Sequence, residues 1–320
     1  MKAVVVSAHG GADVLEVEEK PTPQPAAGQV VVDVAAAGVN FIDIYHRKGL
    51  YPVEPPFVPG LEGAGTVSAI GDGVTDVAVG DRVAWSQVAG SYASQVVAPA
   101  SALVPVPPQV TSDTAAAVML QGLTALFLSS QTYRISPGDT VVVHAGAGGV
   151  GLLLTQMAKQ RGARVITTVS TDAKAELSRS AGADEVVGYA DFADRVIDLT
   201  GGRKVDVVYD GVGAATFEQS LRVLRPRGLL ALFGQSSGPV APVDPQVLAA
   251  HGSLYLTRPT GGDYLGSPQR LRESAAELFD LVVRSGLSVR IGGEYGLERA
   301  HAAHVDLEAR RTTGKLLLIP

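Results

Sequence analysis

A short glycine-rich segment between a hydrophobic strand and a helix restricts most strongly what this chain can fold into. Gly146-Ala147-Gly148-Gly149-Val150-Gly151 has the spacing G-x-G-x-x-G. Residues 140–144 before it form a hydrophobic run typical of a buried parallel strand, and residues 150–159 favour a helix. Such glycines permit a tight turn and close approach of the backbone to a pyrophosphate at the helix N-terminus. The segment predicts a dinucleotide-binding turn, with a plain tight turn as the alternative.

The sequence around this turn alternates between strand patterns and helix patterns. Strands are predicted at 140–144, 164–169, 185–187, 205–209 and 228–233. Helices are predicted from the glycine segment to about 161, and at 172–180, 192–199 and 215–224. Strands separated by helices indicate βαβ units on a parallel sheet. This part of the chain is therefore predicted to be a Rossmann-type α/β domain with a doubly wound sheet.

The residues on either side of this part have different patterns. Before about residue 111 the chain contains short valine-rich runs, which predict strands at 3–6, 29–34, 64–70, 82–85 and 95–98. Proline-dense loops separate them, and proline cannot donate to a strand ladder. A helix is predicted from 115 to about 131, further helices at 268–285 and 297–310, and a last strand at 315–319. The first hundred residues are predicted to form an all-β domain with short helices.

Composition and charge exclude several classes of protein. The 320 residues include no cysteine, which excludes disulfide scaffolds, thiolate zinc sites, iron–sulfur clusters and cysteine nucleophiles. A net charge of −6 argues against nucleic acid or an anionic membrane as the partner. No apolar run is long enough for a membrane span, and the first residues do not resemble a signal peptide. The sequence predicts a soluble cytoplasmic protein.

Histidines are the remaining candidates for a metal site. Among the six histidines, only His301 and His304 have a spacing that places two imidazoles on one helical face, with Asp306 nearby. A catalytic zinc site needs three convergent protein ligands and an open position. The pair is interpreted as a surface pair, and no metal is predicted.

The end of the second Rossmann strand bears on which dinucleotide binds. NAD-binding proteins usually place a carboxylate there to bind the ribose 2′-OH. This strand is followed by Ser170 and Thr171, with Lys174 one turn into the next helix. Hydroxyls and an ammonium suit a 2′-phosphate, which predicts NADPH. Asp172 would place a negative charge nearby, particularly if it caps the helix, and a solvated surface position is the alternative for Lys174.

Several stretches outside the glycine turn resemble a known superfamily. Residues 59–67, Pro-Gly-Leu-Glu-Gly-Ala-Gly-Thr-Val, and 79–83, Val-Gly-Asp-Arg-Val, resemble medium-chain dehydrogenases/reductases. Leu61 stands where zinc alcohol dehydrogenases have a ligand histidine, so the chain resembles the zinc-independent branch. It is similar to the quinone oxidoreductase (zeta-crystallin-like) group in the following stretches: 38–45, 49–52, 121–124, 209–213, 233–238, 253–259 and 314–320.

The resemblance implies an architecture, a cofactor and an assembly. A GroES-like β-rich catalytic domain at residues 1–124 would be completed by residues 262–320, with the Rossmann domain at 125–261 inserted between them. The active site would lie in the cleft between the domains. The resemblance also implies NADPH as hydride donor and a homodimer.

Site residues are carried over from the resemblance by position. The residues implied at the nicotinamide end, as catalytic residues, are Asn40, Tyr45 and Tyr51. The residues implied to bind cofactor are Phe41, Asp43, Tyr45, Thr124, Gly148, Gly149, Val150, Ser170, Thr171, Lys174, Tyr189, Gly213, Phe233, Gly234, Gln235, Ser236, Arg258 and Arg310. Close relatives often have lysine where Gln121 stands.

The residues themselves leave alternatives open for this site. Tyr45 and Tyr51 flank a segment that reads as a polar loop, where a surface tyrosine is the alternative. Asn40 could equally be a turn residue, and Arg258 a solvated charge. Glu62, among small residues, is interpreted as a structural carboxylate rather than a base.

The predicted reaction is NADPH-dependent reduction of a quinone. A bound cofactor carries the hydride, and a tyrosine near its ordinary pKa of about 10 is only a weak acid at neutral pH. Without a metal, an acceptor that stabilises its own reduced form needs the least help. The alternatives are an alkenal or enone reductase, and a non-catalytic NADPH-binding redox sensor.

Replacing Lys174 with alanine tests the assignment of the phosphate site. We expect NADPH to bind about tenfold more weakly to Lys174→Ala, ~1.4 kcal/mol, because the ammonium no longer faces the 2′-phosphate. Calorimetric titration with NADPH measures this, and titration with NADH, which lacks that phosphate, is the internal control. Equal losses for both dinucleotides would contradict the assignment.

Overall fold

Two units make up the protein. The computed structural model describes residues 1–320. The first unit comprises Met1–Leu123 with Ser267–Pro320, and the second comprises Thr124–Gly266. None of the helices combines the length and apolar composition that a bilayer crossing requires. The domain bounds predicted from the sequence stay predictions.

Fifteen strands and ten α-helices form the two units. The strands are β1 (Lys2–Val6), β2 (Leu15–Glu19), β3 (Gln29–Val39), β4 (Glu62–Ile70), β5 (Arg82–Ser86), β6 (Gln95–Pro99), β7 (Val104–Pro105), β8 (Thr140–Val143), β9 (Arg164–Thr168), β10 (Glu185–Val187), β11 (Val205–Asp210), β12 (Leu224–Leu232), β13 (Tyr255–Thr257), β14 (Ile291–Gly296) and β15 (Lys315–Ile319). The α-helices are α1 (Phe41–Arg47), α2 (Ser112–Phe127), α3 (Gly149–Gln160), α4 (Asp172–Ser180), α5 (Phe192–Leu199), α6 (Phe217–Val223), α7 (Gln246–Ala250), α8 (Gly261–Leu265), α9 (Pro268–Arg284) and α10 (Ala300–Glu308).

The second unit is built on one parallel sheet. Its six strands lie in the order β10-β9-β8-β11-β12-β13, and every neighbouring pair is parallel. The four residues of β8 are all buried, as expected for a strand with both sheet faces covered. Numbered within the unit, this order is 3-2-1-4-5-6, the doubly wound Rossmann arrangement. The predicted α/β fold class is confirmed.

The first unit is a β-rich body completed by the C-terminal strands. Its main sheet has the order β14-β15-β3-β4-β5-β7, with β6 also paired to β3, and a separate ladder joins β1 and β2. Strand β15 pairs antiparallel with β3 and places Leu316 opposite Val39. The sheet therefore includes strands from both ends of the chain.

The glycines of β4 permit close packing in the first unit. A Cβ at Gly65 would lie 2.1 Å from the carbonyl oxygen of Asp33, and one at Gly63 would lie 2.6 Å from the Trp85 ring. Trp85 is fully buried, and its Nε1 donates to Ser91 Oγ at 2.9 Å. Glycine at positions 63 and 65 thus allows β3 and the indole to approach β4 closely.

The largest difference from the sequence interpretation lies between Asn40 and Tyr51. Residues 46–50 were interpreted as a polar loop, but Phe41–Arg47 is helix α1. Its polar residues are not all solvated: Asp43 and Arg47 are fully buried. A capping box starts the helix, with Asn40 N–H donating to Asp43 Oδ2 at 2.9 Å.

Several predicted helices are shorter in the structure. The helix predicted to reach residue 131 ends as α-helix at Phe127 and continues as a π turn over Leu128–Thr132. The helix predicted at 215–224 is confined to α6, because Leu224 already begins β12. The helix predicted at 297–310 starts with a 3₁₀ turn, Leu297–Arg299. The sequence analysis does not predict strands β2, β7, β13 and β14.

Candidate functional site

The glycine turn has the shape that its sequence pattern predicts. Gly148 is the N-cap of α3, in an extended conformation. A Cβ at Gly151 would lie 2.2 Å from Ala145 O, and one at Gly146 would lie 2.6 Å from Thr167 Cβ. Glycine is therefore required sterically at both positions. The first N–H groups of α3 lack intrahelical acceptors, so the turn presents donors and the positive end of the helix dipole to an anion.

The predicted 2′-phosphate residues lie together after β9. Ser170 is exposed and precedes Thr171, whose side chain accepts from Lys174 N at 3.3 Å. Lys174 Nζ donates to Ser170 Oγ at 3.5 Å. The helix cap is Thr171 and not Asp172, which is the first, exposed residue of α4. Two hydroxyls and an ammonium thus form one polar group at the end of the second strand.

The turn after β11 and the loop after β12 form one interlocked structure. Gly213 has a φ of +89°, and a Cβ there would lie 2.9 Å from Gln235 Cα. Phe233 N and Gly234 N donate to Asp210 O at 2.9 and 3.2 Å, and Ser236 N donates to Gly211 O at 3.2 Å. The predicted cofactor residues Gly213, Phe233, Gly234, Gln235 and Ser236 are therefore brought together.

Other predicted residues of the second unit also lie near strand ends. Tyr189 follows β10, and its hydroxyl accepts from Ala145 N at 3.1 Å, next to the glycine turn. Arg258 follows β13 and donates from Nη1 to Leu232 O at 3.0 Å. Thr124 lies on α2. Because all six strands are parallel, the turns after β8, β9, β11 and β12 share one edge, where doubly wound folds bind ligands.

Asn40 is held by a buried ion pair in the first unit. Asn40 Nδ2 donates to Glu62 Oε1 at 2.7 Å, and Asn40 Oδ1 accepts from Lys315 Nζ at 2.8 Å. Lys315 and Glu62 form an ion pair with almost no exposure, and Glu62 Oε2 accepts from Leu120 N at 2.7 Å. The ammonium can only donate, so this contact fixes the orientation of the Asn40 amide. Asn40 is therefore both a helix cap and an oriented amide.

Burial shifts the pKa of two charged groups in this cluster. Desolvation lowers the pKa of Lys315 to about 7, with the nearby Asp43 carboxylate acting in the opposite direction. Desolvation raises the pKa of Asp43 to about 6, against hydrogen bonds from Asn40 and Tyr92. Burial thus opposes the charged form of both groups, and the hydrogen bonds and ion pair of the cluster offset this cost.

The candidate tyrosines lie on or next to α1. Tyr45 is buried, not a surface residue, and its ring centroid lies 6.2 Å from that of Phe41 and 5.2 Å from that of Tyr51. Tyr51 is half-buried, three residues after Lys48, the C-cap of α1. The structure therefore groups Phe41, Tyr45 and Tyr51, next to the Asn40–Asp43 capping box. Arg310, at the end of α10, is exposed and has a φ of +56°.

The sequence analysis does not predict a second buried group of hydrogen-bonded side chains, which consists of Arg47, His304, Tyr92 and Asp43. The interpretation of His301 and His304 as a surface pair is wrong for His304, which is fully buried. Arg47 Nη1 lies 3.1 Å from His304 Nδ1, and His304 Nε2 lies 3.0 Å from the Tyr92 hydroxyl, which donates to Asp43 Oδ2. Arginine only donates, so His304 carries its proton on Nε2. Burial, and after it the positive charge of Arg47, lower the pKa of His304 to about 3.

Neither a sequence motif nor a residue spacing predicts this hydrogen-bonded group, because Arg47, Tyr92 and His304 lie far apart in the sequence. Arg47 also donates to Gly10 O and to Glu308 Oε2, at 3.2 and 2.7 Å. These contacts tie α1 to α10, which a buried arginine requires. No group of three or more histidine, aspartate or glutamate side chains is placed to bind a metal ion.

Comparisons with known proteins agree along the whole chain. The zinc-binding dehydrogenase family matches residues 149–280, and the alcohol dehydrogenase GroES-like domain family matches residues 26–108. A quinone oxidoreductase of Pseudomonas aeruginosa is 45% identical over 100% of this chain and 99% of its own. A mycobacterial protein, Rv1454c, solved in complex with NADPH, is 52% identical over 100% of both chains with a TM-score of 0.98. A 2-haloacrylate reductase of a Burkholderia species is 40% identical over 99% of this chain and 98% of its own.

Removal of one partner of the buried ion pair tests how much the first unit depends on it. We expect Lys315→Met to lower the free energy of unfolding by about 3–5 kcal/mol, because Glu62 is left buried and unpaired. Urea denaturation measures the change, and the Glu62→Gln/Lys315→Met double variant should lose less than the sum of the single variants.

The control for this prediction is an exposed ion pair in the same unit. Lys20 Nζ lies 3.3 Å from Glu18 Oε2, and both side chains are more than one-third exposed. We expect Lys20→Met to change the free energy of unfolding by less than about 1 kcal/mol. Similar losses for Lys315→Met and Lys20→Met would contradict the dependence on burial.

Proposed function

The chain belongs to the quinone oxidoreductase family of medium-chain dehydrogenases/reductases, and from this membership we propose that it uses NADPH to reduce quinones. The observation that carries the proposal is full-length similarity to a quinone oxidoreductase, together with a sterically required glycine turn. The protein is accordingly an oxidoreductase. Its substrate would be a small molecule with a conjugated ring system that accepts electrons.

The residues of the second unit fit NADPH. Gly146 and Gly151 leave no space for a Cβ, which keeps the turn tight, and α3 would supply donors to a pyrophosphate. Ser170, Thr171 and Lys174 would hold the 2′-phosphate. The interlocked turns that include Gly213 and Gln235 would line the remainder of the cofactor. Bound there, NADPH supplies the hydride, and the protein supplies position and exclusion of water.

The polar groups of the first unit would orient the acceptor. Hydrogen bonds to Glu62 and Lys315 fix the amide of Asn40. Little reorganisation is therefore needed when the amide offers its remaining hydrogen-bonding capacity to the acceptor. Tyr45 and Tyr51 would donate hydrogen bonds or pack against a flat ring. Gln121 buries its Oε1 without a hydrogen-bond partner, which leaves an acceptor available to a ligand N–H. These groups bind and position, and none of them needs to be a strong acid.

We propose that the reaction needs no zinc. The chain has no cysteine, and its histidines and carboxylates form no cluster that would bind a metal, so the donor set does not fit a zinc centre. A quinone stabilises its own reduced form and does not require a Lewis acid at its oxygen. The proposal therefore assigns no step to a metal.

A second candidate reaction is the reduction of an activated carbon–carbon double bond. The 40% identity to a 2-haloacrylate reductase over nearly the whole chain supports this candidate. It would use the same fold and the same cofactor, with hydride delivered to a conjugated alkene. Pocket shape would decide between the two acceptors.

We propose a homodimer that acts in the cytoplasm. Strand β13 is the last strand on one side of the parallel sheet, so its outer edge has no partner strand within the chain. Tyr255 on this strand is 55% exposed, so its ring is available to a partner along that edge. An edge strand that pairs with its copy would make a two-fold interface. The absence of cysteine is compatible with a reducing compartment.

Steady-state assays with NADPH test the proposed reaction. We expect kcat/KM for a 1,4-naphthoquinone to exceed that for an α,β-unsaturated ketone or 2-chloroacrylate by about tenfold or more, ~1.4 kcal/mol in activation free energy. Loss of NADPH absorbance measures the rate. The rate should not change after dialysis against a chelator.

The opposite ranking would favour the alkene reductase. Tight NADPH binding without turnover of any of these acceptors would contradict catalysis and favour a sensor. Loss of activity on chelation would contradict the zinc-independent mechanism.

Substitution on the edge strand tests the proposed dimer. We expect Tyr255→Asp to shift the protein from dimer to monomer in sedimentation velocity, because two carboxylates would be buried opposite each other. Val79→Asp is the matched control, since Val79 is 60% exposed but lies outside β13. A wild-type protein that sediments as a monomer would refute the dimer.

A further inference from the structure

His144 lies between the end of β8 and the glycine turn, and both of its ring nitrogens are hydrogen-bonded. The residue is only 1% exposed. Its Nδ1 lies 2.9 Å from Thr168 Oγ1, and its Nε2 lies 2.9 Å from Ser220 Oγ. Both hydroxyl residues are fully buried. A buried histidine with two hydroxyl neighbours has two possible tautomers, so the proton positions depend on what else the hydroxyls bind.

Asp210 decides the direction of these hydrogen bonds. This carboxylate is fully buried and accepts from Val212 N and Gly213 N through Oδ1, at 2.7 and 3.0 Å. Its Oδ2 accepts from Thr216 Oγ1 at 2.7 Å and from Ser220 Oγ at 3.3 Å. All four contacts are needed, because no cation pairs with this buried charge.

The single hydroxyl proton of Ser220 therefore points away from His144. Three atoms could accept this proton: His144 Nε2 at 2.9 Å, Asp210 Oδ2 at 3.3 Å and the carbonyl oxygen of Thr216 at 2.8 Å. The two oxygens carry more negative charge than the ring nitrogen and can never donate in return, so the proton is assigned to them. The Ser220 oxygen is then free to accept only from His144 Nε2–H. It follows that Nδ1 carries no proton and accepts from the hydroxyl of Thr168.

With this assignment, the hydrogen bonds between the glycine turn and the turn after β11 all run in one direction from donor to acceptor. Ala145 N lies 3.4 Å from Thr168 Oγ1, a long contact shared with the shorter one to the Tyr189 hydroxyl. These hydrogen bonds thus run from the start of the glycine turn through Thr168, His144 and Ser220 to Asp210. Asp210 in turn holds the backbone of Gly213. The turns after β8 and β11, which belong to neighbouring strands, are therefore joined below the surface.

Two further observations show that the ring is held in place. Its centroid lies 6.3 Å from that of Tyr189, in a stacked arrangement, and 4.8 Å from that of Phe192, edge to face. Burial lowers the pKa of His144, with the Asp210 charge acting in the opposite direction, so the ring is neutral near pH 7. Ala145 has a φ of +54°, a conformation that a residue with a side chain adopts only when its surroundings hold it there.

We propose that His144, as the neutral Nε2–H tautomer, is a positioning residue that fixes the spacing between the glycine turn and the Asp210–Gly213 turn for cofactor binding. It contacts no reacting atom and acts through Thr168 and Ser220. The inference rests on the proposed function for the identity of the cofactor. The tautomer, however, is a property of the protein without cofactor.

The first test is a spectroscopic signature of the cofactor-free protein. A long-range ¹H–¹⁵N spectrum distinguishes Nε2–H, Nδ1–H and doubly protonated imidazoles. We expect His144 to show the Nε2–H pattern at pH 7, with the signal identified by its loss in His144→Gln. An Nδ1–H or doubly protonated ring would overturn the proposal, whatever the protein binds.

The second test is calorimetric binding of NADPH to three variants. Glutamine can replace the pair of ring nitrogens, because its amide offers a donor and an acceptor, whereas leucine offers neither. We expect His144→Leu to bind NADPH about tenfold more weakly and His144→Gln to recover most of that loss. His251 lies in the same unit but takes no part in these hydrogen bonds, so His251→Leu should bind NADPH as the wild type does. Equal binding by His144→Leu and the wild type would overturn the proposal.

The two tests separate failure of this inference from failure of the proposed function. A wild-type protein that binds no NADPH would refute both the proposed cofactor and the positioning role. A wild-type protein that binds NADPH but has the wrong tautomer would refute the positioning role alone. If His144→Leu does not fold, the comparison of His144→Gln with the wild type decides: binding more than about tenfold weaker would overturn the expected rescue.

Discussion

The buried ion pair between Lys315 and Glu62 is the interaction on which the first unit depends. Its partners come from β15 and β4, and a charge removed from water is tolerated only if its hydrogen-bonding capacity is satisfied. Asn40 and the backbone of Leu120 supply that satisfaction. The same contacts fix the start of α1, which carries Tyr45. The geometry of the candidate site thus follows from how a buried charge is neutralised.

Both units orient polar groups by the same physical rule. In the first unit Arg47 can only donate, so His304 must accept through Nδ1. In the second unit the Asp210 carboxylate can only accept, so the proton of Ser220 points toward it or toward Thr216 O, and away from His144. A charged group at one end of a series of buried, hydrogen-bonded side chains leaves each neutral side chain with one consistent direction of hydrogen bonding. Such hydrogen-bonded series of side chains hold the backbone of glycine-rich turns in place.

The sequence predicted the second unit better than the first, and the reason is physical. In the second unit each element has its own hydrophobic period, so Asp172–Ser180, Glu185–Val187 and Phe192–Leu199 have the bounds that were predicted. The glycine turn was predictable because steric exclusion acts between near neighbours in the chain. Helix α1 was missed since its polar residues bind partners from distant segments, although Asn40 and Asp43 carried a capping-box signal. The burial of His304 had no local signal, because its partner Arg47 lies 257 residues away.

The pairing of β15 with β3 has a consequence for the order in which the chain folds during synthesis. Glu62 emerges from the ribosome 253 residues before Lys315, with the whole second unit between them. The parallel sheet of that unit uses only its own residues, so it can form while the first unit still lacks β14 and β15. Until then residues 37–39 of β3 lack their pairing partner β15, and Glu62 lacks its counterion, both features that a chaperone binds or that promote aggregation. The segment made first is therefore the one completed last.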